Sequence, residues 1–136
     1  MLAAVLATAL VLLCSCTSSE PRTQILKVYN WADYIDEDVL ANFPKWYEQQ
    51  TGEKVRVIYQ TFDINEIMLT KIERGHEDYD VVCPSEYIIE RMLRKDLLLP
   101  IDTAFGRTPN FIKNVSPYIT RQIDATSSNG RVAHRY

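Results

Sequence analysis

Residues 54–83, KVRVIYQTFDINEIMLTKIERGHEDYDVVC, decide the fold. They open on Lys54 to Tyr59, a short run whose apolar members are β-branched or aromatic, as a buried strand requires. Asp63 with Glu66 three residues later has the form of a capping box. Ile64, Ile67, Met68 and Ile72 then recur at helical spacing, and Gly75 supplies a stop. Tyr79 to Cys83 closes the stretch as another buried strand. Strand, helix and strand in so short a span predict a parallel pair joined by a crossover helix.

The same alternation continues on either side. Upstream, Ile25 to Tyr29 reads as a strand, and Asp36 to Gln50 as a helix that places Val39, Leu40, Phe43, Trp46 and Tyr47 on one face. Asp36 serves as its cap, acids fill its first turn, and Gly52 ends it. Pro44 falls in the middle and predicts a kink or two short helices, because it removes a hydrogen bond and crowds the preceding turn. Downstream, Pro84-Ser85 turns the chain into a helix with Ile88, Ile89, Met92 and Leu93 on its inner face, and Leu97-Leu98-Leu99 lead out to Pro100. The order predicts the doubly wound α/β class: a largely parallel sheet, covered on both faces, with right-handed crossovers.

Composition agrees with an ordinary globular domain, at 46% hydrophobic and 24% charged over 136 residues. The net charge of −3, with both signs interspersed, leaves no basic footprint for nucleic acid. A mildly acidic surface suits a small cationic ligand.

The first fifteen residues carry no charged side chain and are apolar from Leu2 to Leu13, too short for a spanning helix of roughly 20 residues and of the length of a signal-peptide core. Residues 1–15 are expected to be a removable signal. Leu13-Cys14-Ser15-Cys16 resembles the bacterial lipobox, which would make Cys16 the diacylated new amino terminus and the chain a membrane-anchored, extracytoplasmic lipoprotein. Cys14 fits poorly, because bulky Leu13 would stand before it. Two cysteines in an ordinary core or spanning helix are the alternative. Residues 16–24 are polar and read as a lipidated tether, with the domain over 25–124 and an irregular, polar end over 125–136 that resembles a truncation. Cys83, left without a disulfide partner, reads as a small core hydrophobe. His76 and His134 form neither a Cys-His pair nor a metal spacing, and no cofactor is called for.

In a doubly wound sheet ligands bind beyond the carboxyl ends of the strands. The residues there are Trp31, Asp33 and Tyr34 after the first strand, Thr61 and Asp63 after the second, and Ser85, Glu86 and Tyr87 after the third. Aromatic faces beside carboxylates suit an aliphatic polycation, whose ammonium groups the rings attract and whose charge a carboxylate takes by hydrogen bonding. Each residue also has a structural reading: Trp31 and Tyr34 as rings packed on the sheet edge, Asp33 as a turn former, Ser85 as a helix cap, Glu86 as a first-turn acid.

Three ordered segments, LKVYNWADYID, VRVIYQTFDINEIMLTKI and YDVVCPSEYIIERM, resemble the amino-terminal lobe of the spermidine/putrescine-binding proteins of bacterial ABC transporters, from about Leu26 to Asp102. The resemblance implies a periplasmic-binding-protein-like fold of the second type, a polyamine ligand and ABC permease partners. It maps Trp31, Asp33, Tyr34, Ser85 and Tyr87 onto binding positions, with Asp33 as ammonium partner and the rings stacking on methylenes. It also implies a second lobe that the 136 residues do not encode. A lipoprotein binding another small amine or a peptide for sensing or adhesion is the second reading. An enzyme is a remote third, since apart from the acids and Ser85 no nucleophile with a base, metal spacing or phosphate loop is present.

Overall fold

The computed structural model describes residues 20–75, 77–102, 104, 114–128 and 130–133. The signal segment, Cys14, Cys16, His76 and His134 lie outside them.

Strands β1 (Ile25–Trp31), β2 (Arg56–Phe62) and β3 (Val81–Val82) form a parallel sheet in the order β2-β1-β3. Ile25 pairs with Arg56 and the ladder runs to Trp31 opposite Phe62, while Val28 and Tyr29 pair with Val81 and Val82. The ladder carries β2 past its apolar run: Gln60 and Thr61 pair with Tyr29 and Asn30 of β1. Helices α1 (Glu37–Thr51), α2 (Asn65–Gly75) and α3 (Glu86–Arg94) alternate with the strands. The chain steps from β1 to β2 and then back past β1 to β3, so right-handed crossovers put α1 and α2 on opposite faces.

The core lies on the α2 and α3 side. Tyr29 and Phe62 from the sheet pack with Met68 and Leu69 of α2 and Ile88 and Met92 of α3, flanked by Trp31, Ile72, Tyr79, Val82, Leu97 and Leu98. Tyr29 meets Phe62 edge-on at 5.0 Å and stacks on Tyr79 at 4.6 Å. The Lys71 ammonium sits over both tyrosine rings, 5.0 and 5.5 Å from their centroids, and donates to Gln60 Oε1 at 3.1 Å. An alkylammonium on tyrosine faces is thus already part of this fold.

Several expectations change in the structure. Helix α1 is one helix through Pro44 rather than two short ones, capped by Asp36, whose Oδ1 accepts from Asp38 N–H at 2.8 Å, and stopped by Gly52 in the left-handed region at φ 76°. It lies on the surface with no residue fully buried, so water can solvate the carbonyl that Pro44 leaves without a donor. Leu40, Phe43 and Tyr47 are half-buried, whereas Val39 and Trp46 stay 54% exposed. On α2 the buried stripe is Asn65, Met68 and Leu69, with Ile72 beside it; Ile64 and Ile67 face outward. Cys83 is exposed, not core. Val82 points into the α2 and α3 layer, so the pleat sends Val81 and Cys83 to the other face at the sheet edge, where no described element covers them.

The described part of the tether is docked. Arg22, in a single 3₁₀ turn (Arg22–Gln24), binds Asp78 at 2.6 Å and Asp80 at 3.0 Å and donates to the Ile25 and Asp78 carbonyls. Lys27 also binds Asp78. Arg22 and Lys27 together hold the Asp78 carboxyl well below the usual carboxylate range. At the other end of the chain a helix the sequence reading did not assign, α4 (Pro117–Ala125), starts from Ser116, whose Oγ accepts from Tyr118 N–H. A two-residue antiparallel pair follows, β4 (Ser127–Ser128) with β5 (Arg131–Val132). Arg131 ties it to the end of α3 through the Leu93 carbonyl (3.1 Å) and Asp96 (2.6 Å). Strands this short are too brief to show a period, which is why the segment reads as irregular.

Candidate ligand-binding crevice

The strand order creates the site. From β1 the chain leaves toward β2, and it returns on β1's other side as β3, so the exits of β1 and β3 diverge at a topological switch point where a crevice opens beyond their carboxyl ends. The hydrogen bond from Cys83 N–H to the Tyr29 carbonyl, 3.1 Å, holds those exits side by side. Trp31, Asp33 and Tyr34 leave from one, and Ser85 and Tyr87 from the other.

At the β1 exit Trp31 is half-buried against Phe62 (centroids 4.6 Å apart), and Tyr34 stands 6.1 Å from Trp31 and is 70% exposed. The edge-packing reading therefore holds for the inner side of Trp31 and fails for Tyr34. Between them Asp33 adopts φ 61°, the left-handed region, which aspartate tolerates better than most residues. Among the described residues its carboxylate has no hydrogen-bond or ion-pair partner, so the turn-former reading finds no bond to carry it. The exposed anion is left without a partner on the turn that joins Trp31 to Tyr34.

At the β3 exit Ser85 stands at the N-cap of α3, yet its hydroxyl makes no cap hydrogen bond. Asn65 engages it instead. Asn65 Nδ2 donates to Ser85 Oγ and to Tyr87 Oη, each at 3.0 Å, and Asn65 Oδ1 accepts from Ser85 N–H at 3.3 Å. Tyr87 Oη in turn donates to Glu66 Oε1 at 3.0 Å. Glu66 therefore spends its carboxylate on Tyr87 rather than on a capping box with Asp63. No hydrogen bond or ring contact among the described residues joins the β1 group to the β3 group; what relates them is that they follow the ends of adjacent parallel strands. A cleft of about 420 Å³ lies at the opposite end of the sheet, between α1 and the start of β2, lined by mixed charges such as Glu48, Lys54 and Arg56. It shares no residue with the crevice.

Sequence reasoning missed Asn65 and Glu66. The signal was available in the spacing: positions 65, 68, 69 and 72 form a helical stripe as regular as 64, 67, 68 and 72. The polar residue at its head made the second stripe look better.

No family model matches the chain. The putrescine-binding periplasmic protein PotF of Escherichia coli is 33% identical over 111 residues, 82% of this chain and 28% of that protein. The spermidine/putrescine-binding periplasmic protein of the same species is 33% identical over 93 residues, 68% of this chain and 24% of that protein. Among solved structures, the spermidine/putrescine ABC transporter substrate-binding protein PotD of Streptococcus pneumoniae superimposes with a TM-score of 0.60 at 38% identity, over 83% of this chain and 30% of that one. The chain thus spans about 28% of the length of the first of these relatives. By sequence and by fold it is a homologue of the bacterial spermidine/putrescine-binding proteins.

Proposed function

We propose that the chain supplies one wall of a polyamine-binding cleft in an extracytoplasmic solute-binding protein that serves an ABC permease. The observation that carries this reading is the Asp33 carboxylate, without a partner among the described residues, on a left-handed turn that falls in the chain between Trp31 and Tyr34, whose rings lie 6.1 Å apart, after the first strand of the sheet. An alkylammonium needs such a set: an anion with no internal partner and ring faces to cover methylenes. The names of the relatives support the ligand class and the transport role.

A single wall binds weakly. A millimolar site needs about −4 kcal/mol and a micromolar one about −8. Asp33 offers about 1.5–3 kcal/mol and the rings about 0.5–2, before the cost of immobilising a flexible ligand. An open crevice stays wet and its charges are screened within about 8 Å at physiological salt. Titration of residues 17–136 with spermidine at physiological salt is therefore expected to give a millimolar dissociation constant. Micromolar binding would overturn the single-wall reading.

Cys16 is proposed as the lipid anchor, on the short apolar run and the order Leu13-Cys14-Ser15-Cys16. Cys16→Ser is expected to abolish palmitate labelling in a bacterial host and release the protein from the membrane fraction. If Cys14→Ser does so and Cys16→Ser does not, the cleavage position is wrong.

A further inference from the structure

Asn65 is only 6% exposed, and it stands on the buried stripe of α2 where an apolar residue would pack without any polar cost. Its amide is spent instead on the first turn of α3. The orientation of that amide is fixed by chemistry: Ser85 N–H can only donate, so Oδ1 must face it and the two Nδ2 hydrogens must face the hydroxyls of Ser85 and Tyr87. Both hydroxyl oxygens are thereby located by one rigid group rooted in the start of α2. Their polarity is set as well for Tyr87, because its own proton is directed to Glu66 Oε1.

We propose that Asn65 and Glu66 are positioning residues for the ligand crevice: Asn65 holds the Ser85 and Tyr87 oxygens in place, and Glu66 accepts the Tyr87 O–H hydrogen bond so that this oxygen meets a cation as an acceptor. The proposal rests on the polyamine reading. An ammonium brings only donors, so a tyrosine free to turn its O–H outward would oppose it for part of the time. The carboxylate removes that orientation, and hydrogen bonding to an anion makes the phenol oxygen a better acceptor. Ser85 Oγ meets this network and makes no cap bond to α3. Glu86 in the first turn opposes the positive end of that helix, which would otherwise repel a cation.

The test is a pair of mutant cycles on the full chain, with putrescine as the probe. The initial slope of the amide chemical shifts against putrescine concentration, at constant ionic strength, reports relative affinity without saturation. Asn65→Ala and Glu66→Ala are each expected to lower affinity about threefold to tenfold, the worth of one net hydrogen bond. Glu66→Ala is expected to have no effect in the Tyr87→Phe background, and Asn65→Ala none once Ser85→Ala and Tyr87→Phe are combined. Equal losses in both backgrounds would mean that Glu66 attracts the cation directly or that Asn65 only supports the fold, and would overturn the proposal. Unchanged affinity in both single variants would overturn it while leaving the ligand reading intact. No response in the unmodified chain would remove the ligand reading and this proposal with it. Glu66 is exposed, so its cycle decides even if Asn65→Ala does not fold.

Discussion

Asp33→Asn is expected to weaken putrescine and spermidine binding by about one to two orders of magnitude, enough to move a millimolar site out of a measurable range. The size follows from the chemistry: a hydrogen bond to a charged group is worth about 1.5–3 kcal/mol, and each 1.4 kcal/mol is a factor of ten. Asparagine is nearly isosteric and also tolerates the left-handed turn at φ 61°, so the backbone and the flanking rings should stay in place. What is lost is the charge. A control must separate a specific partner from the general attraction of an acidic protein for a dication. Glu53→Gln serves, because Glu53 precedes β2 at the other end of the sheet and removes the same single charge. Amide chemical-shift titration of the two variants side by side is the measurement. Equal affinity for Asp33→Asn and Glu53→Gln would return Asp33 to an ordinary turn residue and withdraw the observation on which the polyamine reading stands.

The sequence exposes the fold more readily than the site, for reasons visible at particular residues. Strands β1 and β2 are legible as short apolar runs with β-branched and aromatic members, and helix α3 because its burial follows a period: Ile88, Met92 and Leu93 are buried as their spacing requires. Gly52 and Asp36 are legible because backbone sterics and an unpaired N–H leave few alternatives at those positions. Helix α2 is legible as a helix and misread as to face. Two stripes that share Met68 and Ile72 compete there, and only the burial of Leu69 against Tyr29 and Phe62, with Ile64 and Ile67 left exposed, selects between them. The exposure of Cys83 belongs to the same class, since it depends on which neighbours flank β3 in the sheet. Helix α4 carried its own signals, Ser116 as cap and Pro117 at the first position, in a segment otherwise lacking a buried stripe.

The site was legible as residue types gathered after strand ends, and its working relations were not. Nothing in the sequence says that Ser85 sits at an N-cap without capping, or that Glu66 serves Tyr87 rather than Asp63. Both facts follow from a contact between residues about twenty positions apart, made possible because α2 and α3 pack on the same side of the sheet.

The face of α2 has a large consequence for stability. Met68 is fully buried among Tyr29, Phe62, Leu69, Ile88 and Met92, and Met68→Ala would leave a cavity at the centre of the one-sided core. Truncations of this kind cost about 2–5 kcal/mol, the lost transfer energy plus the unfilled space. Typical domains are stable by about 5–15 kcal/mol. This one leaves many large apolar side chains exposed, among them Val39 and Trp46 on α1 and Tyr118 and Ile119 on α4, and its margin is expected at the low end. With a urea slope of about 1–3 kcal/mol per molar, the unfolding midpoint of Met68→Ala should fall by one or more molar, or the variant should be unfolded from the start. Ile67→Ala is the paired measurement. Ile67 is the neighbouring residue on the same helix, equally apolar, and 62% exposed, so its truncation should cost less than about 1 kcal/mol. Alanine is the better helix former, which offsets part of even that loss. If the two variants unfold at the same urea concentration, the stripe of Asn65, Met68 and Leu69 is not the buried one. The network that places Asn65 under Ser85 and Tyr87 would then lose its footing as well, because the same rotation of α2 that buries Leu69 and exposes Ile67 turns Asn65 toward α3.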